Sequence, residues 1–402
     1  MPAADARSLN SGADDEFKQE SPRLQIALSD DIHAAAADWK QLAAMGFGNP
    51  YQSPFWLAAW SETIGHDLGV VPAIVTVRLG ENPVLVLPLG LQTSAGTRTL
   101  SFLGHQNGNQ NTAIWDPDFY KSVTAAEVHE LLTRVCEEMQ ADLLLLQNIP
   151  ENWNGRAHPL VLDGATASPS PIFTRRLPDD FDALFRETHS KSSRKNLLRK
   201  QRHLQSVDGY RVIRVETETD LRNGYDAFLE QRARRAQEAG IPNVFSDGPA
   251  KRFLEILLGL NGPARAPRNL DLWILEADGK IRATYLCVQG GDTIHAYSNS
   301  VAHDDLLPNS PGLVLIKEII ERACSDPQTM ELDLGLGEER YKTSWAEPVP
   351  LMDSRMAVSL KGNIKKSLEA LRLQAKSAVR NSDVLWPLVR QMRRWKSTQG
   401  GS

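Results

Sequence analysis

The sequence predicts an α/β (α+β) protein made of two tandem units, each a mixed, mostly antiparallel sheet flanked by helices, with a C-terminal helical tail. Three observations predict it. Strand-like runs separated by tight turns occur in two sets of three, over residues 73–105 and 270–301. Each set is followed by an amphipathic helix and then by an apolar closing strand. A Pro/Ser/Ala stretch near Asp163–Pro171 separates the sets. A length of 402 residues suits two domains. The expected division is a disordered leader over 1–22, a first unit over 23–165, a second over 166–360 and a basic amphipathic tail over 361–402.

The elements follow in order. Ser29-Asp30-Asp31 can cap a helix whose apolar positions include Ile32, Trp39 and Leu42. Ser53-Pro54 places a cap before a proline at the first helical position. Phe55, Trp56, Ala59 and Trp60 then share one helical face. Strands are expected at Ala73–Leu79, Val84–Gln92 and Thr99–His105, a helix at Thr124–Gln140, and a strand buried on both faces at Asp142–Ile149. The second unit opens with two long polar helices, roughly 179–207 and 219–239. Strands at Leu270–Glu276, Ile281–Gln289 and Thr293–Val301 come next, joined by hairpin turns. A helix over Pro311–Ser325 and a closing strand over Met330–Leu336 complete the set.

Composition narrows the function. Hydrophobic residues make up 41% and charged residues 24%, with a net charge of −5. Residues 361–396 hold ten Lys/Arg against two Asp/Glu, a local +8, so the remainder sums to −13. That split argues against a nucleic-acid coat, and no DNA partner is expected. Cys136, Cys287 and Cys324 are widely spaced and form no CxxC pair, so no metal site or disulfide framework is expected. The N-terminal residues lack a signal-peptide pattern, and the apolar runs are too short to span a bilayer. The expected location is the cytoplasm, with peripheral contact at the inner face of the membrane through 361–396 as an option. P-loop, HExxH and GxSxG motifs are missing.

Several residues invite chemistry. Asn309-Ser310-Pro311-Gly312 opens a helix whose free N–H groups and positive dipole end suit a pyrophosphate, and Gly312 allows close approach. Asp333 lies within an apolar strand, where a carboxylate is costly unless paired, hydrogen-bonded or protonated; it is either a general base or a structural partner of an arginine. His295, Tyr297 and Asn299 alternate along one strand and are expected on one face, where they could line a substrate groove. Arg186–Arg202 carries seven basic residues and one acidic one, with Arg194 among them. It reads either as a solvated helix face or as a contact for an anionic donor or acceptor.

Three stretches carry a resemblance: Asn49–Trp60 (NPYQSPFWLAAW), Leu307–Leu315 (LPNSPGLVL) and Leu332–Trp345 (LDLGLGEERYKTSW). Together they resemble the acyltransferase family named for the cellulose-biosynthesis protein CelD, within the GNAT superfamily and similar to the FemAB aminoacyltransferases. The resemblance spans about residues 24–350. It implies two GNAT-like domains with the working site in the second, and a direct transfer from acetyl-CoA or another acyl-CoA to an amine acceptor, as in exopolysaccharide or cell-envelope biosynthesis. It further implies that Asn309, Ser310, Gly312 and Leu313 cradle the donor, that Tyr341 protonates the leaving thiolate, and that Lys342 contacts an anion. Two other readings stand beside it: a FemAB-like enzyme with an aminoacyl-tRNA donor, and a non-catalytic accessory protein of polysaccharide assembly.

Overall fold

The computed structural model describes residues 24–45, 48–105, 107–261 and 267–368. The first sheet holds β1 (Leu24–Ser29), β2 (Val71–Leu79), β3 (Asn82–Ser94), β4 (Thr97–Phe102) and β5 (Leu143–Pro150) in that spatial order. Neighbours are antiparallel except β4 and β5, which run parallel. A parallel pair needs a crossover, and α3 (Ala125–Glu138) supplies it, held at its start by a Thr124–Glu127 capping box. Before it come α1 (Ala36–Ala43) and α2 (Pro54–Trp60), the latter capped by Ser53, which accepts from the Trp56 N–H.

The second sheet contains β6 (Ile172–Arg176), β7 (Arg211–Arg214), β8 (Asp271–Ala277), β9 (Lys280–Gly290), β10 (Thr293–Val301) and β11 (Glu331–Leu336). Its spatial order is β7-β8-β9-β10-β11-β6, ending on Glu347–Val349. Again one pair is parallel, β10 with β11, bridged by a single helix, Pro311–Ser325. The repeated element order in the sequence is therefore a repeated topology.

Where structure and sequence reading differ, local chemistry explains it. The single helix expected over 179–207 is two, α4 (Phe181–Thr188) and α5 (Lys191–Gln205). The chain is extended at His189 and Ser190, and the Ser190 hydroxyl caps α5 by accepting from the Ser193 N–H. Next come α6 (Glu218–Ala239), ended by Gly240 in the left-handed region, and α7 (Gly248–Leu258), which the sequence reading did not place. The helix over Pro311–Ser325 is α8. Leu351–Ala357 returns to the first sheet and pairs with β5, so the chain crosses between the sheets twice. A helix runs from Leu360 to the limit of description at Leu368. The leader and the rest of the basic tail lie outside the described residues.

The two halves share a core. Trp39, Leu42, Tyr51, Trp56 and Leu57 from the first half form one apolar cluster with Phe228, Phe253, Leu254 and Leu257 from the second. Trp56, fully buried, meets Phe253 edge-on at 5.2 Å and Tyr297 at 5.1 Å. Aromatic side chains of this size dominate the energetics of burial, so the halves are fixed against each other. The grooves between them are consequently built features.

Candidate active site

β10 and β11 pair only at their beginnings, Thr293↔Glu331, Ile294↔Leu332 and His295↔Asp333. Past that point they part, and α8 begins beside the open end of β10. At the same place β10 carries a bulge: Cys287 faces Ala296 and Leu286 faces Ser298, leaving Tyr297 without a cross-strand partner. This corrects one expectation. His295, Tyr297 and Asn299 do not share a face, because the extra residue reverses the alternation. Tyr297 packs with Tyr51, Trp56 and Phe245 on the interface side. Asn299 points to the other side, where its Nδ2 donates to the Tyr341 hydroxyl at 3.2 Å.

That hydroxyl also shares a 2.8 Å hydrogen bond with Tyr285 Oη. Burial, then Tyr341, raises the Tyr285 pKa; burial, then Glu339, raises that of Tyr341. Tyr341 is thus held protonated. It lies on two adjoining cavities of about 310 and 510 Å³ that share Leu313, Glu339 and Tyr341. The first is lined by Ser310, Gly312 and Arg235, the second by Lys200, Arg340 and Trp345. The helix start, the tyrosine and a set of cations therefore face one cleft. Ser310 sits at φ +50 in the left-handed region, an unfavourable place for a non-glycine residue. Its hydroxyl does not cap α8 but accepts from Lys200 Nζ at 2.7 Å. A Cβ at Gly312 would lie 2.7 Å from Val301 Cγ2, so this glycine is needed for close packing at the cleft. Asn309 ends the short turn Leu307–Asn309 before the helix. The cleft fits an anionic, elongated donor: one helix start, exposed apolar Leu313 and three cationic side chains.

His295 and Asp333 form the second feature. Both are buried, at 6% and 1% exposure, and Nδ1 of His295 meets Oδ2 of Asp333 at 2.9 Å. The same carboxylate accepts from the Gly335 N–H at 2.7 Å and from Gln110 Nε2 at 3.2 Å. The partner of Asp333 is thus a histidine and two N–H donors, and not an arginine. A carboxylate accepts a hydrogen bond from Nδ1–H of the ring, which leaves the lone pair on Nε2. Nε2 faces a cavity of about 590 Å³ between the two halves, lined from one side by Asn49, Gln52 and Gln110 and from the other by Asp292, His295 and Glu331. A Cβ on Gly290 would stand 3.0 Å from Nε2, so that glycine keeps the nitrogen accessible.

Two expected contacts are placed elsewhere. Lys342 is buried, and its ammonium donates to the Leu336 carbonyl at 2.6 Å and more weakly to Gly335; burial lowers its pKa. It ties down the end of β11. Arg194 donates to the Arg186 and His189 carbonyls at the end of α4. Lys200, one turn and a half later on the same helix, is the basic residue that reaches the cleft. The sequence reading missed Gln110, Tyr285 and Glu331, and held Lys200 only as one of the basic residues of Arg186–Arg202. One signal was present for Gln110: the uncharged amide run Asn107-Gly108-Asn109-Gln110-Asn111-Thr112, of which Asn109, Asn111 and Thr112 are buried. Asn109 also explains Gly335, at φ +74, where a Cβ would lie 2.5 Å from its Nδ2.

The sheet splays beside a helix start, and the Tyr341 hydroxyl lies in the cleft between them. Residues 191–343 match the family model described as "Acetyltransferase (GNAT) domain"; the chain carries that domain and is an acyltransferase. Among solved structures it is similar to FemX, with a TM-score of 0.55 at 9% identity, covering 82% of this chain and 96% of that one. It is also similar to a conserved protein of unknown function from Bacteroides thetaiotaomicron, with a TM-score of 0.50 at 13% identity, covering 83% of this chain and 100% of that one. A tandem GNAT protein from the clavulanic acid biosynthesis pathway superposes with a TM-score of 0.45 at 14% identity, over 84% of this chain and 99% of that one. No curated protein matches the sequence. Among the described residues no group of three or more metal-binding side chains occurs, and no helix is long and apolar enough to cross a membrane.

Proposed function

We propose that the protein is an N-acyltransferase that moves an acyl group from acyl-CoA to an amine, serving exopolysaccharide or cell-envelope biosynthesis as its resemblance to CelD-like proteins implies. The observation that carries this is the convergence of the α8 start, Lys200 and Tyr341 on one cleft. The donor supplies a thioester, whose C–S bond is replaced by a C–N bond. Lys200 and the Gly312 N–H at the start of α8 hold its phosphates, the Leu313 N–H there already donating to the Ser310 carbonyl. His295, oriented by Asp333, takes a proton from the incoming amine at Nε2, and Tyr341 gives one to the departing sulfur. Acetyl-CoA and longer acyl-CoAs titrated calorimetrically into the protein test the donor: micromolar binding is expected, and no heat with any of them would remove it.

One observation favours a second reading. Lys191, Lys195, Arg199 and Arg202 are exposed on α5 and enter no ion pair among the described residues. Such a face suits an aminoacyl-tRNA donor. Filter binding of charged tRNA would then weaken steeply with salt; flat, weak binding would discard it. The proposed membrane contact through 361–396 is tested by deleting 361–402 and following the soluble fraction.

A further inference from the structure

The cavity between the halves and the donor cleft differ in charge. Lys200, Arg235 and Arg340 line the cleft against a single carboxylate, Glu339. The 590 Å³ cavity is lined by Asp292, Glu331 and Asp333 and, among the described residues, by no lysine or arginine. Glu331 and Asp333 stand two apart on β11 and so share the face that opens on it. Asp333 spends its oxygens on His295, Gln110 and Gly335. Glu331 is half-buried and joins no ion pair among the described residues. The rest of the polar lining is uncharged: amides such as Asn49, Gln52 and Asn152, with the Trp153 ring. Into this space points Nε2 of His295, a side chain 7% exposed whose only hydrogen bond among the described residues is made by the other nitrogen.

Resting on the acyl-CoA reading of the cleft, we propose that this cavity is the acceptor site, and that it takes a primary ammonium on a polar, otherwise uncharged body. Arg176 stands opposite Glu331 across β6 and β11 but makes no ion pair with it among the described residues, so the half-buried carboxylate still attracts an ammonium and repels an acidic substrate. The volume suits a small molecule or the end of a larger one. Glu331 and Asp292 draw the ammonium in. His295 removes one proton, the freed nitrogen forms the C–N bond, the C–S bond breaks, and the second nitrogen proton replaces the one Tyr341 delivers to sulfur. His295 then returns its proton to solvent. The two charge patterns keep the partners apart: an anionic donor is excluded from the acidic cavity and a cationic acceptor from the basic cleft. Gly290 matters here, since any side chain would sit between Nε2 and Pro50.

The test uses four amines, glucosamine and ethanolamine as cations, glutamate and taurine as amines carrying an acidic group. Each is titrated into the full chain by calorimetry, first without donor and then with acetyl-CoA turnover read as thiol release. The cations are expected to bind and be acylated, and the acidic amines not. Glu331→Gln should raise the glucosamine Kd and KM about tenfold and leave kcat within about threefold, the signature of lost uniform binding. His295→Asn should lower kcat by about 100-fold or more with the Kd for glucosamine unchanged. Preference for the acidic amines, binding of none of the four, or an unchanged Kd in Glu331→Gln would overturn the assignment. Glucosamine binding weakened by Glu331→Gln, but with no acetyl-CoA binding, would keep the cavity and refute the donor reading instead.

Discussion

Replacing Tyr341 by phenylalanine separates chemistry from packing. The change removes one hydroxyl that shares a 2.8 Å bond with Tyr285 and accepts from Asn299 at 3.2 Å. Tyr285 is 3% exposed, but Asn299 remains a partner for its hydroxyl. The stability loss is therefore that of one neutral hydrogen bond, about 1 kcal/mol, or roughly 1–2 °C in a chain this long. Tyr285→Phe removes the same bond from the other side and should cost about the same. Catalysis should divide the pair. Losing a proton donor lowers kcat by about 10²–10⁴, or ~3–5 kcal/mol of barrier. Losing its neighbour should lower kcat by no more than about tenfold. Thermal unfolding and thiol release from acetyl-CoA, measured on both variants, decide it. Equal loss of kcat in both, or a Tyr341→Phe variant within about threefold of the parent, would refute the acid role.

Two further outcomes follow from the geometry. His158 is buried, with Nδ1 accepting from the Leu160 N–H and Nε2 against Thr112, and burial, then Arg156, lowers its pKa to about 3. Its neutral form is the folded one, so the unfolded chain binds the extra proton below about pH 6.5, and stability present above that pH is lost on acidification towards 3. Denaturant titrations should lose about 1 kcal/mol between pH 6.5 and 5.5 from this group, and His158→Gln should flatten that slope. A variant with the parent slope would contradict the assignment. At the cleft, Gly312→Ala should weaken acyl-CoA binding about tenfold by pushing Val301 aside, and adding Val301→Ala should restore most of it; failure of the second change to rescue would place the donor elsewhere.

Much of the frame was legible in the sequence because local chemistry and tertiary need coincide there. Pro311–Ser325 starts and stops where Ser310-Pro311 and the apolar spacing place it, and Thr293–Val301 is bounded by its turns. The site was legible in parts. Asp333 announced itself as a carboxylate in an apolar strand, and its pairing with His295 follows from parallel register, which no single segment encodes. The bulge at Tyr297 was hidden because the sequence alternation continues through it; only the partner strand shows the extra residue. Lys342, through the resemblance, and Arg194, through its basic neighbours, were expected as anion contacts, yet both are consumed by backbone carbonyls at element ends. Glu331 carried no local mark, and Lys200 was one of several basic residues in Arg186–Arg202, since which of them matters is set by what it faces across the cleft or the cavity. The return of Leu351–Ala357 to the first sheet was hidden for the same reason.

The central claim is that the donor lies between the start of α8 and Tyr341. Backbone hydrogen exchange of the full chain with and without saturating acetyl-CoA tests it most directly. The account predicts new protection over 310–314, 337–345 and the Lys200 turn of α5, with the Asn49–Gln52 and Gly290–Thr293 walls of the acceptor cavity unchanged until an amine is added. Protection confined to those walls, or none at the start of α8, would contradict it.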